Sequence, residues 1–297
     1  MQQLYTKIKL EIVGADVIIE NADISVDLKK SDDGTPNYCT VTIYNLSENT
    51  YTLLNSKTTH MRVYTDTNDK GYVLLFQGDL RDIKKWKKFK ATASKRKRKS
   101  KKPVKIQYES PPITRETDGN DVATIIELQD SIKSTFINNF YSQSYKDVVT
   151  NKKVLNDIIY YIKRQTTIGI GNIAELTEKT FPKGYIAHGT LGNVLKQICR
   201  TGNCTCSIEN NIVNIFANNA ESDVYGYYLH GGICPRPDFN ANKEVSIECP
   251  FLPSVNIGNF VKLDFQDIDG IYPIKKIESK IDNFGKEYET KLVLKVD

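Results

Sequence analysis

Apolar and polar residues alternate from Lys7 to Ile12, with Lys9 and Glu11 facing away from the apolar set, and the same period of two returns at Ile24, Val26 and Leu28. Both segments predict strands with one wet face. Ser31 to Pro36 is a turn cluster between strands, where Gly34 is free to take positive φ and Pro36 cannot continue a ladder. Cys39, Val41 and Ile43 then point one way and Thr40, Thr42 and Tyr44 the other. Ser47 follows as an N-cap for a short helix from Glu48 to Leu54. His60 to Thr65 and Tyr72 to Gly78 predict a strand pair, the second apolar on both faces, and Val122 to Leu128 closes this first stretch as another strand.

The middle of the chain changes period. Val154, Leu155, Ile158, Ile159 and Ile162 form one apolar stripe on a helix predicted from about Asn151 to Arg164. A second helix has Thr190 as its cap, the stripe Leu191, Val194, Leu195 and Ile198, basic Lys196 and Arg200 toward its end, and Gly202 as its stop. Cys204 to Glu209 and Ile212 to Phe216 predict a hairpin about Asn210-Asn211. Beyond the polar stretch from 218 to 223 the period of two returns in Val245, Ile247 and Cys249, in Val261, Leu263 and Phe265, and from Tyr288 to Val296. Asp267 to Gly270 and Asp282 to Gly285 are predicted hairpin turns. The expected fold is mainly β with an inserted α+β module. Residues 1–130 would form a first tube-like β-barrel, 131–222 a helix-and-hairpin domain, and 223–297 a second tube-like barrel.

At 297 residues the chain has room for two or three domains, each with its own core. The start of the sequence has no export signal, and no apolar run approaches the roughly 20 residues a bilayer span needs, so a soluble protein made in the cytoplasm, without stable membrane association, is expected. The six cysteines are scattered, and reduced buried thiols are the default. Cys199, Cys204, Cys206 and Cys234 form the one candidate metal cluster, but Cys204-x-Cys206 is shorter than the usual paired zinc spacing. Three histidines, His60, His188 and His230, accompany no nucleophile elbow, phosphate loop, dinucleotide fingerprint or His-Glu-x-x-His. Neither an enzyme nor a cofactor is expected.

Charge alters the picture more. The net charge is +5, yet 13 basic and no acidic residues lie between Lys84 and Lys105, and the remainder carries 28 basic against 36 acidic residues. An acidic protein thus bears one strongly basic segment. Its candidate partner- or polyanion-contacting residues are Lys84, Lys85, Lys87, Lys88, Lys95, Arg96, Lys97, Arg98, Lys99, Lys101 and Lys102. One reading is phosphate contact, with Trp86 and Phe89 available to stack, which makes a nucleic-acid-binding protein the alternative function. The other is a solvated, self-repelling hairpin or loop projecting between Asp82 and Val104, which docks on an acidic neighbour or lines a channel.

The order of the strand, the "IYNLS" corner at Ile43 to Ser47, the short helix and "FQGDL" at Phe76 to Leu80 resembles the baseplate hub proteins of contractile phage tails and related injection machines, the late control protein D and type VI spike N-terminal-like family. Leu191 to Phe216 looks like the family's central module. Cys249 to Leu263 is similar to its entry to the last barrel, and Gly270 to Ile274 to the strand that follows. The resemblance implies a homotrimeric ring that adapts the six-subunit tail tube to a trimeric central spike, two barrels per chain supplying pseudo-sixfold symmetry. It also implies a place in the virion tail baseplate, assembled in the host cytoplasm. The implied partners are the tail tube protein or a tube-terminating ring, the spike, the tape-measure protein and a LysM-type tail protein, with DNA passing through the lumen. With Asp297 directly after the last barrel strand, the spike is expected to be a separate polypeptide. The symmetry argument asks for twin barrels, and the two regions merged into a single sheet would overturn it.

Overall fold

The computed structural model describes residues 6–15, 17–32, 35–55, 60–67, 70–87, 121–130, 136, 138–217, 225–239, 244–285 and 287–295. The N-terminal half contains β1 (Thr6–Val13), β2 (Val17–Ile19), β3 (Ile24–Ser31), β4 (Tyr38–Tyr44), α1 (Glu48–Asn55), β5 (His60–Thr67), β6 (Val73–Lys87) and β7 (Val122–Gln129). The middle contains β8 (Phe140–Tyr145), β9 (Val149–Thr150), α2 (Asn151–Gln165), β10 (Gly169–Ile173), β11 (Thr180–Phe181), β12 (Tyr185–Thr190), α3 (Leu191–Thr201), β13 (Cys204–Glu209) and β14 (Ile212–Ala217). The C-terminal half contains β15 (Tyr225–His230), β16 (Asp238–Phe239), β17 (Glu244–Pro250), β18 (Phe260–Phe265), β19 (Ile268–Asp282) and β20 (Tyr288–Lys295). The protein is mainly β with an inserted α+β module, as the two periods require.

The alternations place their apolar sets inside. Ile8, Leu10, Ile24, Val26, Leu28, Cys39, Val41, Ile43, Phe76 and Ile126 join one core, and Val245, Ile247, Val261, Leu263, Ile277, Leu292 and Leu294 another. The helical stripes of α2 and α3 close a third core over β13 and β14, with Phe136 and Tyr141. Thr150 accepts the Lys153 N–H at 3.3 Å and caps α2. Thr190 holds the predicted cap position of α3, but its side chain makes no cap bond; the Leu191 N–H goes instead to the Asn139 carbonyl at 2.7 Å. Thr150→Ala should therefore cost about 1 kcal/mol and Thr190→Ala close to nothing, a difference that urea titration of the two variants resolves.

Numbered within each half, with the three-residue β2 left out, both sets of six strands run in space as first, fourth, fifth, sixth, third, second. The N-terminal order is β1-β5-β6-β7-β4-β3, with β2 beside β1, and the C-terminal order is β15-β18-β19-β20-β17-β16. The fifth strand has 15 residues in each. In each it bonds the fourth strand along its first part and the sixth along its second: β6 pairs β5 over Val73–Asp79 and β7 over Asp79–Lys87, while β19 pairs β18 over Ile268–Pro273 and β20 over Ile274–Ile281. One difference separates the copies. β1 runs antiparallel to β5, whereas β15 runs parallel to β18.

The two tube-like regions are joined into one sheet, which corrects the expectation of twin, unmerged sheets. β3 pairs antiparallel with the second part of β19, from Ser31↔Lys276 to Ser25↔Asp282, so both halves belong to one 13-stranded sheet. Each half still curls about its own core, since residues of β1 and β3, at opposite ends of the N-terminal run, meet in one cluster. The cause lies in the edges: β3 has an outer row of backbone groups to satisfy, and β18 covers that side of β19 only as far as Pro273. Opposite charges face across the junction at Lys29↔Glu278 and Asp27↔Lys280. Asn283 brackets it, accepting the Ile24 N–H at 2.8 Å and donating to the Ala22 carbonyl at 2.6 Å. A smaller correction concerns the turn before β19, which is Gln266-Asp267, with Gly270 already inside the strand.

Candidate assembly interface

The motif residues of the sequence each hold a joint. In "IYNLS", Ile43 is in the core and Asn45 turns the chain with φ 55°. Its N–H donates to the Val122 carbonyl at 2.8 Å, and its Oδ1 accepts the Val122 N–H at 3.1 Å, tying the end of β4 to the start of β7. Ser47 accepts the Thr50 N–H at 3.2 Å as the cap of α1. In "FQGDL", Phe76 is buried, and Gln77 and Asp79 hold the two nitrogens of His60 at 2.8 and 2.6 Å across the β5–β6 pair. Gly78 is there because β7 comes close: a Cβ would lie 2.5 Å from the Gln129 carbonyl oxygen. Gly258, in the loop before β18, takes φ 87° and would drive a Cβ to 2.7 Å from the Phe216 ring of the middle module.

The basic segment begins on a strand. β6 continues through Lys84, Lys85 and Lys87 because β7 pairs with it from Asp79 to Lys87. Lys84 Nζ lies 2.7 Å from Asp82 and 3.1 Å from Glu127. These contacts hold the Asp82 carboxyl below its ordinary range, chiefly through the hydrogen bond from Lys84, and raise Lys84 through bonds to both carboxylates. Lys85 pairs with Glu48 and sits over the Tyr51 ring at 3.8 Å, so α1 covers it. Of Lys87 the structure describes the backbone. Lys88, Lys95, Arg96, Lys97, Arg98, Lys99, Lys101 and Lys102 lie outside the described residues. The two lysines whose side chains are described therefore already face carboxylates of this chain, contacts that at exposed sites contribute little to stability.

Beyond Asp79, the side of β6 that meets β5 is bonded to no strand among the described residues. Leu80 to Lys87, which carries Arg81, Lys84, Lys85 and Trp86, is therefore laddered on its β7 side alone among the described residues.

One joint was not legible in any motif. Lys30 on β3 and Glu209 on β13 are both buried, with Nζ 3.3 Å from Oε2. Lys30 also donates to Asn256 Oδ1 at 2.8 Å, and Glu209 Oε1 accepts the Ile257 N–H at 2.6 Å. Lys196 of α3 donates to the Asp32 carbonyl at 2.6 Å beside it. Three regions of the chain thus meet on one buried ion pair. The signal was parity: Lys30 continues the inward series Ile24, Val26 and Leu28.

His188 has a local partner as well. His188 Nδ1 lies 3.3 Å from Ser142 Oγ on the outward face of the β8–β12 pair, its ring edge-on to Phe140, with the neighbouring Ile186 70% exposed. That is a surface cross-strand contact rather than an activated nucleophile in a cleft. All six cysteines are free and buried, and burial raises the thiols of Cys39, Cys204, Cys234 and Cys249. Among the described residues no three His, Cys, Asp or Glu side chains gather as metal ligands, and no helix is long and apolar enough to cross a membrane.

No family model matches the sequence, and no curated protein matches it. Solved structures do match in fold, nearly end to end. A tail protein from Neisseria meningitidis MC58 superposes with TM-score 0.57 at 8% identity, over 99% of this chain and 97% of that one. The 43 kDa tail protein of prophage MuSo2 from Shewanella oneidensis gives TM-score 0.58 at 9% identity, over 97% and 96% of the two chains. The E. coli c3393 protein, described as a type VI secretion component with structural similarity to the T4 tail proteins gp27 and gp5, gives 0.52 at 8% identity, over 97% of this chain and 76% of that one. The chain has the fold of phage tail proteins.

Proposed function

We propose that this chain is a structural hub subunit of a phage or phage-like tail baseplate, with no catalytic role. Three copies form a ring that joins the six-subunit tail tube, or its terminating ring, to a trimeric spike. The ring surrounds the end of the tape-measure protein, leaves a lumen for DNA, and meets a LysM-type tail protein on the tube. The observation that carries the reading is the six-strand unit that occurs twice in one chain with one spatial order. Three chains then offer six similar units, which is what an adaptor from threefold to sixfold symmetry needs. The repeat replaces the twin closed barrels in that argument, because continuity across β3 and β19 leaves two cores and two units in place. The division at 1–130, 131–222 and 223–297 belongs to the same proposal, each span supplying most of one core, with Phe251 and Ile281 of the last span joining the first.

The end-to-end likeness to tail proteins supports the role. Light scattering on the purified chain should give three times 33.7 kDa, and particle images averaged without imposed symmetry should show a ring with six similar lobes. A monomer at tens of micromolar, or a chain that shifts nucleic acid at moderate salt through residues 84–105, would overturn it.

A further inference from the structure

We infer that two matching side-chain quartets, one on the outer face of each six-strand unit, contact one repeating partner, the subunit of a sixfold ring that offers a carboxylate to each quartet's lysine. This contact presupposes the ring reading above and gives it the residues that meet the tube or its terminating ring. In the N-terminal unit the quartet lies on the first and fourth strands, β1 and β5, where Lys9 faces Tyr64 and Glu11 faces Arg62. The Lys9 amine sits over the Tyr64 ring at 4.7 Å and over the Tyr72 ring at 4.3 Å. The Tyr64 hydroxyl donates diagonally to Glu11 Oε2 at 2.9 Å, and Arg62 lies 3.4 Å from Glu11 Oε1. In the C-terminal unit the quartet again lies on the first and fourth strands, β15 and β18, where Lys262 faces Tyr228 and Asp264 faces His230. The Lys262 amine sits over the Tyr228 ring at 5.7 Å, and the Tyr228 hydroxyl donates diagonally to Asp264.

Both sets face away from the cores, because the residues between their members, Leu10, Val63, Leu229 and Leu263, are buried. Twice, then, a Lys-x-carboxylate pair on one strand faces a tyrosine and a second basic side chain on the other. The strands exchange parts: the lysine stands on the first strand of the N-terminal unit and on the fourth of the C-terminal one. The shared chemistry therefore belongs to the place and not to a copied strand sequence. Cross-strand pairing alone would not ask for the same set in both units. Each tyrosine hydroxyl is engaged by its carboxylate, whereas the amines of Lys9 and Lys262 lie over rings and make no ion pair among the described residues. An acidic side chain from a partner is the complement of such a held amine. A threefold spike would need one contact per chain. Two per chain make six in a ring of three, one for each subunit of a sixfold partner.

The test is binding of the full chain to tail-tube rings isolated from the same particle, followed by interferometry at low salt. Lys9→Glu and Lys262→Glu should each weaken binding by a similar factor, on the order of tenfold, and the double variant should lose more than either. Circular dichroism and oligomer mass should stay as in the parent, and Lys163→Glu on the exposed side of α2 should bind as the parent does. Lys9→Gln and Lys262→Gln should show the same ordering at smaller size, so a folding defect in the glutamate variants does not decide the result. Unchanged binding in the double variant, a loss confined to one lysine, or a parent trimer that does not bind the rings overturns this contact and leaves the trimer standing. A parent chain that is monomeric at tens of micromolar overturns both.

Discussion

Lys30→Ala is expected to destabilise the protein by about 3–5 kcal/mol, the effect of removing one partner from a buried ion pair. Glu209 would keep the Ile257 N–H but lose its countercharge, and Asn256 would lose the Lys30 donor, at a largely buried position. The loss should appear as a lower urea midpoint with an unchanged slope. Lys30→Met combined with Glu209→Gln should recover more than half of it, because glutamine still accepts the Ile257 N–H and no charge is left buried. A single variant within about 1 kcal/mol of the parent would mean that the pair is effectively solvated and does not fasten the three regions.

Phe76→Ala should cost about 3–5 kcal/mol, as large aromatic truncations in packed cores do. The more informative result is where the loss is felt. The N-terminal core includes Phe251 and Ile281 from the C-terminal half, and β3 is laddered to β19 along seven residue pairs. The single tryptophan, Trp86, stands on β6 and reports the N-terminal half, while far-ultraviolet circular dichroism reports all the strands. Both signals should shift to the same lower midpoint in the variant. Two separated transitions would show that the halves melt independently and that the shared sheet couples them weakly.

Much of the fold could be read from side-chain spacing, because spacing reports faces. The stripes of α2 and α3 fixed both helices to within a residue or so, and the alternations at Cys39, Val245 and Leu292 marked strands whose inner faces are buried. Hydrogen-bonding edges have no such signature, so the β3–β19 ladder was not visible. Strands with little alternation were missed: β8 reads Phe-Tyr-Ser-Gln-Ser-Tyr, β10 contains two glycines, and β12 carries His188 and Gly189 on a largely exposed pair. Whether the basic segment starts as a hairpin strand or a loop was not decided by its lysines, which look solvated either way, while its backbone up to Lys87 is held by β7. The motif glycines were legible as landmarks, but the reason for Gly78, a carbonyl of β7 too close for any side chain, needed coordinates.

The ladder between β3 and β19 also sets a schedule for the nascent chain. Ser31 and Lys276 are partners almost 250 positions apart, so at the usual pace of about 5–20 residues per second roughly 10–50 s of translation separate them. Throughout that interval the N-terminal unit holds its first core with one flank of β3 bare, beside other nascent chains offering similar flanks. Dense polysomes should therefore favour premature pairing between neighbours, and slow, sparse expression should give the better yield of correctly joined subunits.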